Sequence, residues 1–232
     1  MKYLKLFESY SQKTTYYLTS SSLKRADLPS DITSVLNLNL SSGKVGVMRK
    51  LKNFCWPRKK IFTKDKNADI RDFEFDNIKS FDIENLQYEN LKNNDLVIFH
   101  GGDIYDIINN IKNNNLQKKI IDCILSCKYF VGISAGTVLL SKNSFLTKES
   151  TEIKHNHIHE DIAGIGIFDF GLNCHVDMLL NDRFFIDNFK KSLPKFDDDF
   201  YMIYDGSYIK VVDNKITTFG NVITDKNHQS RI

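Results

Sequence analysis

Apolar and amphipathic stretches alternate through the middle of the chain. Residues 96–99 (Leu-Val-Ile-Phe) are continuously apolar, as expected of a parallel strand that is covered on both faces. The isoleucines that follow have the spacing i, i+3, i+4 and i+7, which predicts an amphipathic helix (Ile104, Ile107, Ile108 and Ile111). A second helix and a second apolar strand are predicted from Ile120, Ile121 and Ile124 and from residues 129–133.

The flanking regions predict shorter elements. Before residue 96 we expect strands over residues 15–20, 44–48 and 69–78, and helices over residues 28–40 and around Leu86 and Leu91. After residue 143 we expect strands over residues 171–176, 200–204, 208–212 and 215–219, a hairpin turn at residues 213–214, and a helix over residues 185–193. This order predicts an α/β fold, a three-layer sandwich with a mostly parallel central sheet and an antiparallel C-terminal hairpin. We expect residues 1–232 to form a single domain.

Composition and charge narrow the function classes. The chain is 41% hydrophobic and 26% charged, which is ordinary for a soluble protein, and its net charge of +3 does not indicate a nucleic-acid partner. Residues 49–66 carry eight basic residues among aromatic ones, and we interpret them as a solvated connecting segment. No apolar run is long enough to span a bilayer, so we expect no membrane partner.

Cysteine and histidine usage bears on location and metal binding. The N-terminal residues lack the long apolar region of a signal peptide, and the four cysteines (Cys55, Cys123, Cys127 and Cys174) lack a metal-binding spacing. We therefore expect reduced core thiols in a cytoplasmic protein. The three histidines of residues 155–159 would share one face of a strand and could bind zinc, but an expected loop position favours a solvated segment and no metal site.

The strongest chemical signal is Gly132-Ile133-Ser134-Ala135-Gly136, between the apolar strand and the helix-prone run. This is the layout of a nucleophile elbow, in which a sharp strand-to-helix turn projects a serine hydroxyl from the end of a sheet. Oxyanion donors would be the N–H of Ala135 and an N–H of the turn at residues 100–103 (His-Gly-Gly-Asp).

A serine nucleophile also needs a base and an acid that orients it. His175 is the best base, because it comes at the C-terminal end of a predicted strand and should lie at the carboxyl edge of the sheet, where Ser134 is expected. Asp205 follows another strand and could be the acid. On spacing alone, four other acidic residues compete for this role: Glu149, Glu152, Asp169 and Asp177.

These motifs together resemble peptidase family S51, which includes peptidase E (aspartyl dipeptidase) and cyanophycinase and is similar in fold to class I glutamine amidotransferases. The resemblance is strongest over residues 95–220. It implies Ser134 as nucleophile, His175 as base and Asp205 as acid, in an order that differs from the Ser-acid-His order of α/β-hydrolases. It also implies an oxyanion hole formed by Gly102 and Ala135.

The resemblance further implies substrate-binding residues. Glu149 lies near the position of an acidic residue that would shape the pocket, and Arg183 lies near an arginine expected to bind an acidic side chain of the substrate. Asp103 would put a negative charge near the oxyanion hole and thereby affect the choice of substrate. The chain departs from peptidase E in having Asp205 in place of Glu, Cys174 in place of Pro and Asp103 in place of Asn. These departures leave open whether the substrate is an aspartyl peptide.

We therefore predict a serine peptidase that hydrolyses small peptides, among which aspartyl dipeptides are candidates, through an acyl-enzyme. We expect a small peptide substrate and no metal or organic cofactor, and homodimer formation stays open. Two alternatives stand beside this prediction. One is a catalytically silent relative that binds a ligand in the same cleft. The other is an esterase of the ordinary α/β-hydrolase type, which would place an acid such as Glu149 or Asp169 on the histidine.

Overall fold

The computed structural model describes residues 14–21, 45–49, 78–82, 96–99, 101–102, 104–142, 164–181 and 199–224. The strands in these ranges are β1 (Thr15–Thr19), β2 (Val45–Arg49), β3 (Ile78–Asp82), β4 (Leu96–Phe99), β5 (Tyr129–Ile133), β6 (Gly171–Asn173), β7 (Phe200–Ile203), β8 (Tyr208–Val212), β9 (Lys215–Phe219) and β10 (Val222–Thr224). The helices are α1 (Ile104–Asn113), α2 (Gln117–Ser126), α3 (Ala135–Val138) and α4 (Val176–Leu179).

The main sheet is parallel in its centre and antiparallel at one edge. Within the described ranges it has seven strands in the order β3-β2-β4-β5-β1-β8-β9. The pairs from β3 to β1 are all parallel, and β8 and β9 are antiparallel additions. The expected α/β fold with a mostly parallel central sheet is therefore confirmed, whereas the extent of the domain stays a prediction.

Both faces of the central strands are covered. Phe130 of β5 aligns with Tyr16 of β1, and both side chains belong to the main core cluster. Their neighbours Val131 and Tyr17, which point to the opposite face, are also buried. Burial on both faces explains why these strands are continuous apolar runs rather than alternating patterns.

The two long helices pack their predicted apolar stripes onto the sheet. The isoleucines of α1 and α2 are buried and join the same core cluster as Val97 and Phe99 of β4: Ile104, Ile107, Ile108, Ile111, Ile120, Ile121 and Ile124. Within the part of the chain that is described, no helix is long and apolar enough to cross a membrane.

The hairpin β8–β9 has the predicted turn. Asp213 and Asn214 have φ angles of 50° and 62°, the left-handed conformation that two-residue hairpin turns require and that Asp and Asn tolerate. The rings of Tyr208 and Phe219 stack across the two strands with their centroids 4.4 Å apart. β8 also pairs with β1, so the hairpin extends the parallel sheet at its antiparallel edge.

The strand before His175 lies outside the main sheet, contrary to the simplest prediction of one sheet. β6 pairs with β7 in parallel, and β7 pairs with β10, which the sequence did not predict. β6, β7 and β10 form a second, three-stranded sheet, and the edge of the main sheet next to β1 is occupied by β8 and β9. His175 and Asp205 follow these two parallel strands at their carboxyl ends.

Several predicted elements lie outside the described residues. They are the helices over residues 28–40 and 185–193, the helix around Leu86 and Leu91, and the strand over residues 69–78 except at Ile78, where β3 begins.

Candidate active site

Ser134 occupies a strained turn between β5 and α3. Its φ and ψ angles are 53° and −117°, a conformation that residues with a side chain rarely adopt. The two glycines of the motif make the turn possible. A Cβ on Gly132 would lie 2.9 Å from Thr137, and a Cβ on Gly136 would overlap the carbonyl of Phe99. The sequence therefore folds here as the predicted strand-elbow-helix unit.

Main-chain hydrogen bonds anchor this turn to β1. The N–H of Ser134 and the hydroxyl of Thr137 both donate to the carbonyl of Thr19, at 3.0 and 2.8 Å. The carbonyl of Ser134 accepts from the N–H groups of Thr137 and Val138, which begins α3. Hydrogen bonds to both the N–H and the carbonyl of Ser134 thus hold this strained residue in place.

Ser134, His175 and Asp205 form a hydrogen-bonded chain. Ser134 Oγ lies 2.7 Å from His175 Nε2, and His175 Nδ1 lies 2.8 Å from Asp205 Oδ1. A carboxylate accepts hydrogen bonds, so the Nδ1 of a neutral imidazole carries the proton and Nε2 accepts from the serine hydroxyl. The side chains of His175 and Asp205 are 29% and 38% exposed, and Ser134 is also partly exposed. These three side chains are therefore accessible to solutes.

His175 has an unusual backbone conformation. Its φ and ψ angles are 58° and 39°, in the left-handed region, and it stands at the start of α4. This turn directs the imidazole toward Ser134 and Asp205 instead of continuing β6. A non-glycine residue in this region indicates local strain that neighbouring contacts offset.

Two further polar residues, Ser20 and Asp177, contact the site. The sequence had indicated no role for Ser20 and had indicated Asp177 only as a competing acid. Ser20 Oγ donates to Asp205 Oδ1 at 2.8 Å and accepts the N–H of His175 at 2.7 Å. Asp177 Oδ1 accepts the N–H of Asp205 at 3.1 Å. Ser20 directly follows β1, whose carboxyl end lies beside that of β5, and this position was the signal that could have identified it.

Gly101, in the glycine pair that follows β4, lies next to Ser134. A Cβ on Gly101 would be 3.0 Å from the Cβ of Ser134, so a side chain at position 101 would crowd the serine, and glycine favours the close approach of the main chain. Gly102 follows and is exposed, and Ala135 is the first residue of α3 directly after Ser134. The structure therefore brings both predicted sources of oxyanion donors to the serine.

The remaining predicted residues are not placed here. Asp103, Glu149 and Arg183 lie outside the described residues, as do the histidines of residues 155–159. Asp169, which competed for the role of the acid, is exposed, and the carboxylate on His175 Nδ1 is that of Asp205. Among the side chains that are described, no group of three or more His, Cys, Asp and Glu residues is placed to bind a metal ion.

Cys174 directly precedes His175, but its thiol is not suited to nucleophilic attack. Its Sγ is 3.7 Å from the carbonyl oxygens of Thr19 and Ser134, and the residue is 1% exposed. Burial, together with the nearby charge of Asp205, raises the pKa of this thiol well above its usual range. The thiol therefore stays neutral at ordinary pH and is a poor nucleophile.

Comparison with known proteins finds one family model and several similar solved structures. The model of "Peptidase family S51" matches residues 46–219. A crystal structure of a candidate peptidase E protein from Listeria monocytogenes EGD-e is similar with a TM-score of 0.58 and 19% identity, over 90% of this chain and 99% of that chain. A peptidase from an acI-B1 Actinobacterium is similar with a TM-score of 0.57 and 17% identity, over 94% of this chain and 100% of that chain. No curated protein matches the sequence.

Proposed function

This chain belongs to peptidase family S51, and from that premise we propose that it is a serine peptidase that hydrolyses small peptides through an acyl-enzyme. The observation that carries the proposal is the hydrogen-bonded chain from Ser134 through His175 to Asp205, with distances of 2.7 and 2.8 Å. A base on the serine and an acid on the base are the two supports that a serine nucleophile requires.

In the proposed first step, Ser134 Oγ attacks the carbonyl carbon of the scissile bond while its proton passes to His175 Nε2. Asp205 stabilises the imidazolium that forms and keeps the ring in its orientation. The N–H groups of Ala135 and Gly102 bind the oxyanion of the tetrahedral intermediate. The short approach of Gly101 to Ser134 supports this role for the glycine pair.

In the following steps His175 passes its proton to the leaving amine, and the peptide bond breaks to give an ester on Ser134. Water then attacks this ester and gives a proton to His175, which passes it to Ser134 Oγ as the ester bond breaks, so that the serine is regenerated and a carboxylic acid leaves as the second product. The proposed steps balance without a metal or an organic cofactor.

The substrate class follows from the family and stays a proposal. We expect small peptides, with aspartyl dipeptides as the first candidates, bound with the help of Arg183, Glu149 and Asp103. An arginine would recognise an acidic side chain through two parallel hydrogen bonds. The buried thiols support a reducing compartment, so the proposed location is the cytoplasm, where small peptides are available.

The geometry favours this function over the two alternatives. A silent relative would tolerate a histidine far from the serine, whereas His175 Nε2 is within hydrogen-bonding distance of Ser134. An ordinary α/β-hydrolase would have its acid between the serine and the histidine in the chain, whereas Asp205 follows both.

A dipeptide-library hydrolysis screen that compares the wild type with Ser134→Ala tests the proposal. We expect cleavage by the wild type and none above background by the variant. Preference for aspartate at the first position would support an aspartyl dipeptidase, and cleavage of β-linked aspartyl-arginine would point to cyanophycin-type substrates. Equal cleavage by both proteins would contradict a serine mechanism.

A further inference from the structure

Ser20 is a buried hydroxyl at the point where three parts of the site meet. The residue directly follows β1 and is 0% exposed. It is separated from Asp205 by 185 positions and from His175 by 155 positions, so the fold alone brings it to the site.

The hydroxyl closes a ring of three hydrogen bonds. The N–H of His175 donates to Ser20 Oγ at 2.7 Å, and Ser20 Oγ donates to Asp205 Oδ1 at 2.8 Å. The same Oδ1 atom accepts from His175 Nδ1 at 2.8 Å. Because the hydroxyl accepts from a main-chain N–H, its own proton is directed to the carboxylate, which fixes the direction of every bond in the ring.

We propose that Ser20 is a positioning residue for the histidine and its acid. This inference rests on the proposed function, and it adds a part that neither the family match nor the motif assigns. Ser20 does not touch the reacting atoms. It acts on the main chain of His175 and on the carboxylate of Asp205, which is 38% exposed and accepts from both Ser20 and His175 on the same oxygen.

Two consequences follow from the ring. The bond to the His175 N–H stabilises the left-handed backbone that directs the imidazole toward Ser134. The bond to Oδ1 holds the Asp205 carboxylate in contact with His175 Nδ1. The proton therefore stays on Nδ1, and the lone pair of Nε2 faces Ser134. Loss of the hydroxyl should therefore lower the rate of the chemical step and leave substrate binding unchanged.

The variant Ser20→Ala tests the proposal. We expect kcat to fall about 10- to 100-fold with KM unchanged, the range expected when a hydrogen bond to a charged group is lost. Ser141→Ala is the matched control. Ser141 is equally buried, and its hydroxyl donates to the main-chain carbonyl of Val138 at 2.7 Å, so its removal should leave kcat within about 2-fold of the wild type.

A double-mutant cycle separates positioning from general destabilisation. If Ser20 acts through Asp205, the Ser20→Ala change should lower kcat by less than about 3-fold in an Asp205→Asn background. An undiminished effect in that background, or an unchanged kcat in Ser20→Ala itself, would overturn the proposal.

A spectroscopic readout does not depend on catalysis. The proton on His175 Nδ1 should give a downfield proton resonance in the wild type, assigned by its loss in His175→Ala, and Ser20→Ala should broaden or abolish it. Persistence of the resonance in Ser20→Ala, or its absence from the wild type, would contradict the positioning role. An inactive wild type whose resonance depends on Ser20 would contradict the proposed function and support the positioning role.

Discussion

Gly136 lies directly against the main-chain carbonyl of Phe99, with no space for a Cβ between them. Phe99 is the last residue of β4, and Gly136 is the second residue of α3, so this contact locks the serine turn to the neighbouring strand. The glycine pair that approaches Ser134 follows shortly after Phe99. The same contact therefore sets the distance between the serine and the proposed oxyanion donors.

Replacement of Gly136 by alanine should destabilise the protein by about 3 kcal/mol, the upper part of the range for overpacking, because the added methyl meets a main-chain atom that cannot rotate away. Urea denaturation would measure the loss. Gly166→Ala is the control, since open space surrounds that residue and only its φ of 71° opposes a side chain. Gly166→Ala should lower the free energy of unfolding by about 1 kcal/mol. Equal losses in both variants would contradict the close contact.

The strained backbone of Ser134 predicts a trade-off between stability and function. Glycine adopts a φ of 53° and a ψ of −117° with little strain, whereas alanine retains the strain. The free energy of unfolding of Ser134→Gly should therefore be about 1 kcal/mol higher than that of Ser134→Ala, and we expect both variants to be inactive. Ala135→Gly, at a helical position, should instead lower stability. A Ser134→Gly protein no more stable than Ser134→Ala would argue against strain at the elbow.

The sequence predicted the elements that have one dominant physical signal. The buried parallel strands are continuous apolar runs, the helices after β4 carry regular isoleucine stripes, and the hairpin turn has Asp213 and Asn214 where positive φ is needed. It missed β10, a three-residue strand whose pairing depends on a distant partner. It also did not anticipate that β6 and β7 form a sheet of their own, since strand order is set by tertiary contacts.

In the candidate site, too, residues with a local sequence signal were predicted, and a residue placed by distant contacts was not. Ser134 was predicted from a local turn motif. On spacing alone Asp205 was one of five candidate acids, and its carboxylate lies 2.8 Å from His175 Nδ1. Ser20 could not be found from a motif, because its role depends on contacts with residues 155 and 185 positions away. Polar residues at the carboxyl ends of predicted parallel strands are the signal to examine in similar chains.

The acid at position 205 should be essential in its charged form. Asp205→Asn keeps the size of the side chain but favours the wrong tautomer of His175, so kcat should fall about 10³- to 10⁴-fold. Asp169→Asn provides the control, because Asp169 is an exposed residue that precedes the histidine in the chain, as the acid of an ordinary α/β-hydrolase would. Steady-state kinetics on the best substrate of the library would compare the two. A large loss in Asp169→Asn with little loss in Asp205→Asn would reverse the assignment.

Buried thiols should make stability fall at alkaline pH. Burial raises the pKa of Cys123 to about 12, whereas an unfolded thiol ionises near pH 8.5. The unfolded state therefore releases its proton first. The contribution of this thiol is fully present below about pH 8.5 and declines as the pH rises toward the folded pKa, by up to about 1.4 kcal/mol per pH unit.

The variant Cys123→Ala should therefore show a shallower decline of the unfolding free energy above pH 9 than the wild type. Denaturant titrations at a series of pH values would measure the slopes. Ile124→Val removes a buried methyl group next to Cys123 without removing a titrating group, so it should lower stability at every pH and leave the slope unchanged. Identical slopes for the wild type and Cys123→Ala would contradict the buried thiol.

The most direct test of the account is covalent labelling of the folded protein with a fluorophosphonate, which reacts with activated serines, followed by peptide mapping. We expect one adduct, on Ser134, which is absent from Ser134→Ala and from denatured wild type. No adduct on the folded wild type, under conditions that label a control serine hydrolase completely, would contradict an activated serine at the elbow.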